Sequence, residues 1–177
     1  MIATKEIWIQ KGYEMYALNE GETLKVEQLA KNVGISKSSF YHYFADLECF
    51  IENLFNYHYH RCSILSTKEK NCTSIYPELI DILIEHKIDL LFHRQLRIHR
   101  NNALTEIALV KSSQILGNYA VMIWAKEINL KLTEKQLHGL FEIATDDFYM
   151  KINKDNFNSE FLTNYFKNLS AITKKFT

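Results

Sequence analysis

Proline and glycine are scarce in this chain. One proline and five glycines occur in 177 residues. Sandwiches, barrels and other turn-rich folds use more of both residues, because tight turns need them. Hydrophobic residues make up 47% of the chain, an ordinary value for a globular protein. The sequence therefore predicts an all-α protein with a packed core.

Apolar residues at helical spacing predict about nine helices and no strand. The segments assigned to helices are residues 5–19, 26–32, 37–44, 47–62, 77–92, 103–128, 134–152 and 159–175. Residues 64–76 are polar and without pattern, so they are predicted to be a loop, and the basic residues 93–100 a connection. The expected N-terminal caps are Ser36, Asp46, Thr133 with Gln136 three residues on, and Asn158 or Ser159.

Charge, cysteine content and motifs exclude several classes of protein. The chain has 21 basic and 21 acidic side chains, so bulk charge does not hold it to nucleic acid. Its three cysteines form no CxxC pair and predict neither a disulfide framework nor a metal site, and they favour a cytoplasmic location. The longest uncharged run, residues 112–125, is shorter than the roughly 20 residues that span a bilayer. No catalytic motif occurs, so we expect neither an enzyme nor a cofactor.

Residues 26–44, VEQLAKNVGISKSSFYHYF, have the pattern of a helix-turn-helix. Apolar residues occupy the positions that hold two short helices together, and Gly34 supplies the tight turn. The second helix is rich in hydrogen-bonding side chains and free of acids, which suits a groove of negative charge. Lys37 can donate to guanine, and Ser36 with the first amides of the helix can meet a phosphate. An ordinary helical hairpin is the alternative.

Residues 5–55 resemble the DNA-binding domain of the TetR family, the tetracycline-repressor-like bacterial regulators. The matching residues include Leu29-Ala30, Val33 to Lys37 and the run Phe40-Tyr41-His42-Tyr43-Phe44. The resemblance implies a three-helix DNA-binding domain at residues 1–47 and a helical ligand-binding and dimerisation domain at 48–177. It also implies a homodimer, most often a repressor, that binds a palindromic operator in double-stranded DNA and is released by a small-molecule effector. The residues implied to face bases or phosphates are Lys25, Ser36, Lys37, Ser38, Ser39, Tyr41, His42 and Tyr43.

Two departures from the family pattern weaken the expected contacts with the DNA backbone. The family has Ser or Thr where Lys25 stands, and Lys where Leu47 stands. Residues 1–50 carry a formal charge of −2, whereas residues 28–45 contain no acid. We therefore expect an acid-free reading surface on an otherwise acidic domain, with weak non-specific affinity for DNA.

Two broad apolar stripes end the chain, and the resemblance assigns them to a four-helix dimer interface. The residues of these stripes are Leu137, Leu140, Phe141, Ala144, Phe148, Phe161, Tyr165, Leu169 and Ile172. Packing within one chain is the alternative.

The resemblance also implies a ligand pocket, enclosed by the helices between about residues 50 and 128. The candidate lining residues are Phe55, Tyr59, Leu83, His86, Leu90, Tyr119, Ile123 and Trp124. Regulation by a protein partner, or no ligand control, is the alternative function.

Overall fold

A computed structural model describes residues 4–18, 24–129 and 133–173. Over these residues it contains ten α-helices and no strand, which confirms the all-α prediction. The helices are α1 Thr4–Leu18, α2 Val26–Val33, α3 Lys37–Tyr43, α4 Leu47–Asn71, α5 Ile80–Glu85, α6 Lys87–Ile98, α7 Ala103–Leu116, α8 Tyr119–Glu127, α9 Glu134–Lys151 and α10 Ser159–Thr173. None of them is both long and apolar enough to cross a membrane.

The turn between α2 and α3 depends on Gly34. This residue has a φ of 76° and lies in the left-handed region, where a side chain is disfavoured. Its amide and that of Ile35 both donate to the carbonyl oxygen of Ala30, at 2.9 and 3.3 Å. These bonds satisfy the end of α2 and turn the chain directly into α3.

An aromatic core beneath α3 holds that helix in place. Phe40 is fully buried, with ring centroids 5.5 Å from Trp8 on α1 and 5.2 Å from Phe50 on α4. Phe44 lies 4.8 Å from Phe50 in the same cluster. Gly12 lets α1 approach this cluster, since a Cβ there would lie 2.3 Å from the Phe50 ring. The inward residues of α3 are therefore fixed, and its remaining side chains face outward.

Helix α4 is longer than the sequence indicated, so the predicted loop at 64–76 is wrong for residues 64–71, and only residues 72–74 lie outside a helix or helical turn. The helix continues to Asn71, with Leu65 and Glu69 buried one turn apart. Packing against α7 stabilises this part, where Ser66 Oγ donates to the Leu116 carbonyl at 3.2 Å. Tertiary burial on one face thus outweighs a polar local sequence.

Two other predicted helices are divided in the structure. A π-type turn at Ile75–Leu79 precedes α5, and the 77–92 segment then breaks at His86. The residues from His93 to Ile98, predicted to be a connection, form the second half of α6. The 103–128 segment breaks at Gly117, which has a φ of 67°.

Most of the expected caps are confirmed. Asp46 accepts a hydrogen bond from the Cys49 amide at 2.8 Å, and Thr133 and Gln136 form the predicted capping box. Asn158 accepts from the Phe161 amide at 2.9 Å at the start of α10.

The first helix also packs on the larger helical body. The Tyr13 ring stacks on Phe92 of α6 at 4.3 Å, and Tyr16 lies 4.6 Å from the same ring. The predicted domain boundary at residue 47 falls where α4 begins, and α4 runs on into the body. Helices α1 and α4 therefore connect the segment that carries α3 with the rest of the protein.

Candidate nucleic-acid interface and interior sites

Helix α3 presents most of its polar side chains to solvent. Of its seven residues only Phe40 is buried, and Ser39 is half-buried. Tyr41 and Tyr43 are 51% and 36% exposed, unusual values for side chains of this size. The exposed residues of the predicted reading surface are Lys25, Ser36, Lys37, Ser38, Tyr41, His42 and Tyr43. Seven of the eight side chains that the sequence proposed for DNA contact are therefore accessible, at the N-terminal end of α2 and along α3.

The expectation that this face lacks acids is wrong. Glu27, one residue outside the acid-free segment, forms an ion pair with Lys37. The hydrogen bond between the two side chains raises the pKa of Lys37 and lowers that of Glu27. Both side chains are exposed, so the pair contributes little to stability. It does place a carboxylate next to the one lysine of the reading helix.

The polar residues around α3 differ in detail from the predictions. Ser36 occupies the N-cap position, but its side chain forms no capping bond and lies 2.9 Å from Ser38 Oγ instead. Lys25 occupies the corresponding position of α2, also without a side-chain cap. Leu47 at the start of α4 is half-buried in the core. Both serine hydroxyls therefore remain at the surface.

A cavity of about 130 Å³ lies in the helical body. Its walls come from the end of α4 and from α5 to α10, and they are largely apolar. A cavity of this size could hold a molecule about as large as benzene, which fits an apolar cavity of roughly 150 Å³. It is smaller than the usual range for drug-sized ligands, roughly 300 Å³ and above.

The cavity includes some of the residues proposed for a pocket and excludes others. Leu83, Leu90 and Trp124 line it. Phe55 and His86 are buried elsewhere in the core, and Tyr59, Tyr119 and Ile123 are half-buried outside the lining. Helical spacing alone could not distinguish these positions, because the cavity also depends on α9 and α10.

Three polar residues in the cavity wall were missed by the sequence analysis: Glu69, His93 and Arg97. Burial raises the pKa of Glu69 to about 8, so its carboxyl is mostly protonated at neutral pH. Arg97 packs over the Tyr149 ring at 4.8 Å and pairs with Asp146, and its buried Nε has no hydrogen-bond acceptor. A bound molecule would therefore meet a neutral acid and an unsatisfied cationic donor.

Asp89 is the centre of a buried polar network next to the cavity. It accepts from Arg61 Nε and Nη2 at 3.0 and 2.9 Å, from the Tyr13 hydroxyl at 2.9 Å and lies 2.6 Å from His86 Nδ1. Burial alone would raise the pKa of Asp89, but the hydrogen bonds from His86, Arg61 and Tyr13 lower it to about 2. The carboxylate is therefore ionised at neutral pH and joins α1, α4 and α6.

A second buried cluster contains His58, Cys62 and His93. His58 Nε2 lies 3.4 Å from Cys62 Sγ and 3.3 Å from His93 Nδ1. Burial lowers the pKa of His58 to about 3 and that of His93 well below its usual value, so both imidazoles are neutral. The spacing of His58 and Cys62, one helical turn apart, was available in the sequence. Their approach to His93 is a product of the fold.

Some of the residues proposed for a dimer interface contact each other within one chain. Phe148 lies 5.4 Å from the Tyr165 ring, and the Tyr165 hydroxyl donates to the Ala144 carbonyl at 3.1 Å. Phe141 is buried, and Leu137, Leu140, Phe161 and Leu169 are half-buried. Of the proposed set only Ile172 is exposed. The same two helices also expose Ile143 and Met150, which the sequence analysis did not select.

Comparison with known proteins does not identify a family. No protein-family model matches the chain, and no curated protein is significantly similar to it. The function of this protein is therefore proposed from its own geometry.

Proposed function

We propose that this protein is a sequence-specific DNA-binding transcriptional regulator of the cytoplasm. It acts as a homodimeric repressor of the TetR type, binds a palindromic operator through α3, and is released by a small-molecule effector. The observation that carries the proposal is the asymmetry of α3. Its one buried residue, Phe40, anchors it in an aromatic core, while five of its other residues are exposed.

This asymmetry is favourable for reading DNA. A short helix that projects from a rigid base can enter the major groove with its N-terminal residues against base edges. Lys37 and His42 can hydrogen-bond to bases, and the half-buried Ser39 and the exposed Tyr43 are the proposed contacts to the backbone. A helix with a purely structural role would gain little from two exposed tyrosines.

The cavity supports control by an effector and narrows its chemistry. Its size suits a molecule of about six to ten heavy atoms, by comparison with benzene. The unsatisfied Arg97 Nε favours a ligand that carries a hydrogen-bond acceptor. The proposed effector is therefore small, mostly apolar and equipped with one acceptor group.

The small volume of the cavity also keeps a second function open. A helix-turn-helix protein that is controlled by a protein partner, or that has no ligand control, does not need a larger cavity. Titration of the protein with small aromatic carboxylates, followed by calorimetry, distinguishes these functions. Saturable binding that Arg97→Gln weakens favours the effector, and its absence favours the alternative.

DNA binding is tested by mobility shift with duplexes that flank the protein's own gene. We expect binding at least about tenfold tighter than to random duplex, and loss of that preference in Lys37→Ala and Tyr41→Ala. Lys70→Ala, which removes a lysine from the exposed end of α4, is the control and should bind as the wild type does. Equal affinity for both duplexes, unchanged in the α3 variants, would reject the proposal.

A further inference from the structure

Three side chains that can bind a metal converge in the interior of the helical body. His58 and Cys62 lie on the same face of α4, and His93 approaches them from α6. One donor atom from each residue lies within 4.8 Å of the other two, and all three side chains are buried. DNA contact by α3 and effector binding in the cavity require neither the thiol nor His58.

The distances agree with coordination of a single ion. Metal–nitrogen bonds of about 2.0–2.1 Å and a metal–sulfur bond of about 2.3 Å place neighbouring tetrahedral donors about 3.3–3.6 Å apart. His58 Nε2 is 3.3 Å from His93 Nδ1 and 3.4 Å from Cys62 Sγ. All three donor atoms lie within 4.8 Å of one another, so binding of one ion would draw Cys62 and His93 closer by up to about 1 Å.

A hydrogen-bonded chain orients His58 for this role. The Tyr13 hydroxyl donates its only proton to Asp89 at 2.9 Å, because that carboxylate is ionised and can only accept. The Tyr13 oxygen, 2.8 Å from His58 Nδ1, therefore accepts the Nδ1 proton of the imidazole. The lone pair of Nε2 is then directed at Cys62 and His93. Partners of this kind, which fix the tautomer of a histidine, commonly support metal ligands.

His93 has comparable partners. Its Nδ1 lies 3.3 Å from His58 Nε2 and 3.2 Å from Ser112 Oγ, and its Nε2 lies 3.4 Å from Ser113 Oγ. That hydroxyl can accept the ring proton when Nδ1 acts as a ligand. His93 also lines the cavity, so one residue of the cluster borders a space that can admit water or a ligand.

We propose that His58, Cys62 and His93 form a binding site for one thiophilic transition-metal ion, Cu⁺ or Zn²⁺. Burial raises the pKa of the Cys62 thiol, so metal binding displaces its proton, which is released to solvent. The resulting thiolate with two imidazoles is a donor set that both ions accept. Charge favours Cu⁺, because a thiolate and a monovalent ion form a neutral unit in a buried site. Zn²⁺ would leave a positive charge and would require a fourth ligand, which water in the cavity could supply.

The test uses the full chain, stripped of metal with a chelator and kept reduced. Competition with a chromophoric chelator measures binding of Cu⁺ without oxygen and, separately, of Zn²⁺. We expect one equivalent of at least one ion in the wild type. Cys62→Ser and His93→Gln should bind at least roughly tenfold more weakly, the loss that even an outer-shell substitution causes. Cys72→Ser, a half-buried thiol outside the cluster, is the matched control and should bind as the wild type does.

A second measurement does not depend on the folding of any variant. Co²⁺ added to the wild type should produce an ultraviolet sulfur-to-metal charge-transfer band, saturating at one equivalent. Binding of neither Cu⁺ nor Zn²⁺ by the wild type would overturn the proposal. So would binding that Cys62→Ser leaves unchanged, or that Cys72→Ser abolishes. DNA affinity does not enter these measurements, so the metal site can fail or stand independently of the proposed function.

Discussion

A few residues with an unusual backbone conformation, a close helix contact or a buried acidic group determine how the helices pack. Gly34 permits the turn that projects α3, and Gly12 permits the approach of α1 to Phe50. Asp89 stays charged in the interior because three donors surround it, whereas Glu69 has no such set and is held neutral. The two acids therefore make opposite contributions to stability as pH changes.

Gly34→Ala should destabilise the protein by about 1 to 2 kcal/mol, because alanine is strained at a φ of 76°. Gly139→Ala is the matched control. Its new methyl group meets no atom within 4 Å, and the backbone there is helical, so we expect up to about 1 kcal/mol of added stability. Urea unfolding measures both variants. A Gly34→Ala variant as stable as the wild type would contradict the role given to the turn.

Glu69 should make the protein less stable as pH rises. The pKa of Glu69 is about 8 in the folded state, whereas its ordinary value is 4.5. Folding therefore favours the protonated carboxyl. The stabilisation is complete below about pH 4.5, is lost progressively as pH rises to about 8, and amounts to a few kcal/mol. Thermal unfolding between pH 5 and pH 8.5 should show this loss in the wild type. Glu69→Gln should be flatter over that range, and an equal slope in both proteins would contradict the assignment.

At the scale of helices, α2 and α3 form one surface whose charge the ion pair of Glu27 and Lys37 controls. In the proposed complex with DNA, Lys37 would have to leave this carboxylate before it contacts a base. We therefore expect the pair to reduce DNA affinity, an effect that the sequence of α3 alone does not reveal.

Glu27→Gln should strengthen DNA binding by roughly three- to tenfold at low salt, because it frees Lys37 and removes a like charge from the phosphate. Glu106→Gln removes the same charge from an exposed position on α7 and should leave affinity unchanged. Fluorescence anisotropy with a labelled duplex compares the two variants. Equal affinities of Glu27→Gln and wild type would show that the ion pair does not restrain Lys37.

The sequence predicted the helices well where one local signal decides the structure, and poorly where packing decides it. Gly34, the Thr133–Gln136 capping box and the cap at Asp46 each have a local cause, and each was found. The end of α4 was missed because Leu65 and Glu69 are buried by α7 and other distant segments. The cluster at His93 was missed for the same reason, since His93 is 35 residues from His58 along the chain.

At the scale of the whole molecule, most of the apolar stripe on α9 and α10 is used within one chain. Three large apolar side chains on these helices remain exposed: Ile143 at 70%, Met150 at 54% and Ile172 at 57%. Helix α7 carries another exposed set, Leu104, Ile107 and Val110. We propose that the homodimer covers the first set, since α9 and α10 are the helices that the resemblance assigns to the interface.

Ile143→Lys and Ile172→Lys should convert a dimer to a monomer, because a charge in the centre of an apolar interface is left unpaired. Ile107→Lys, at 63% exposure on α7, is the control and should remain dimeric. Analytical ultracentrifugation gives the mass of each. A dimer that only Ile107→Lys disrupts would place the interface on α7 instead.

In vitro selection from a pool of random duplexes tests most directly whether α3 reads DNA. The wild type should enrich one palindromic sequence with two half-sites, and Lys70→Ala should enrich the same sequence. Lys37→Ala should lose or change the preferred bases within each half-site, since that exposed side chain is the proposed base contact. A wild-type pool that remains random after selection would contradict the central claim.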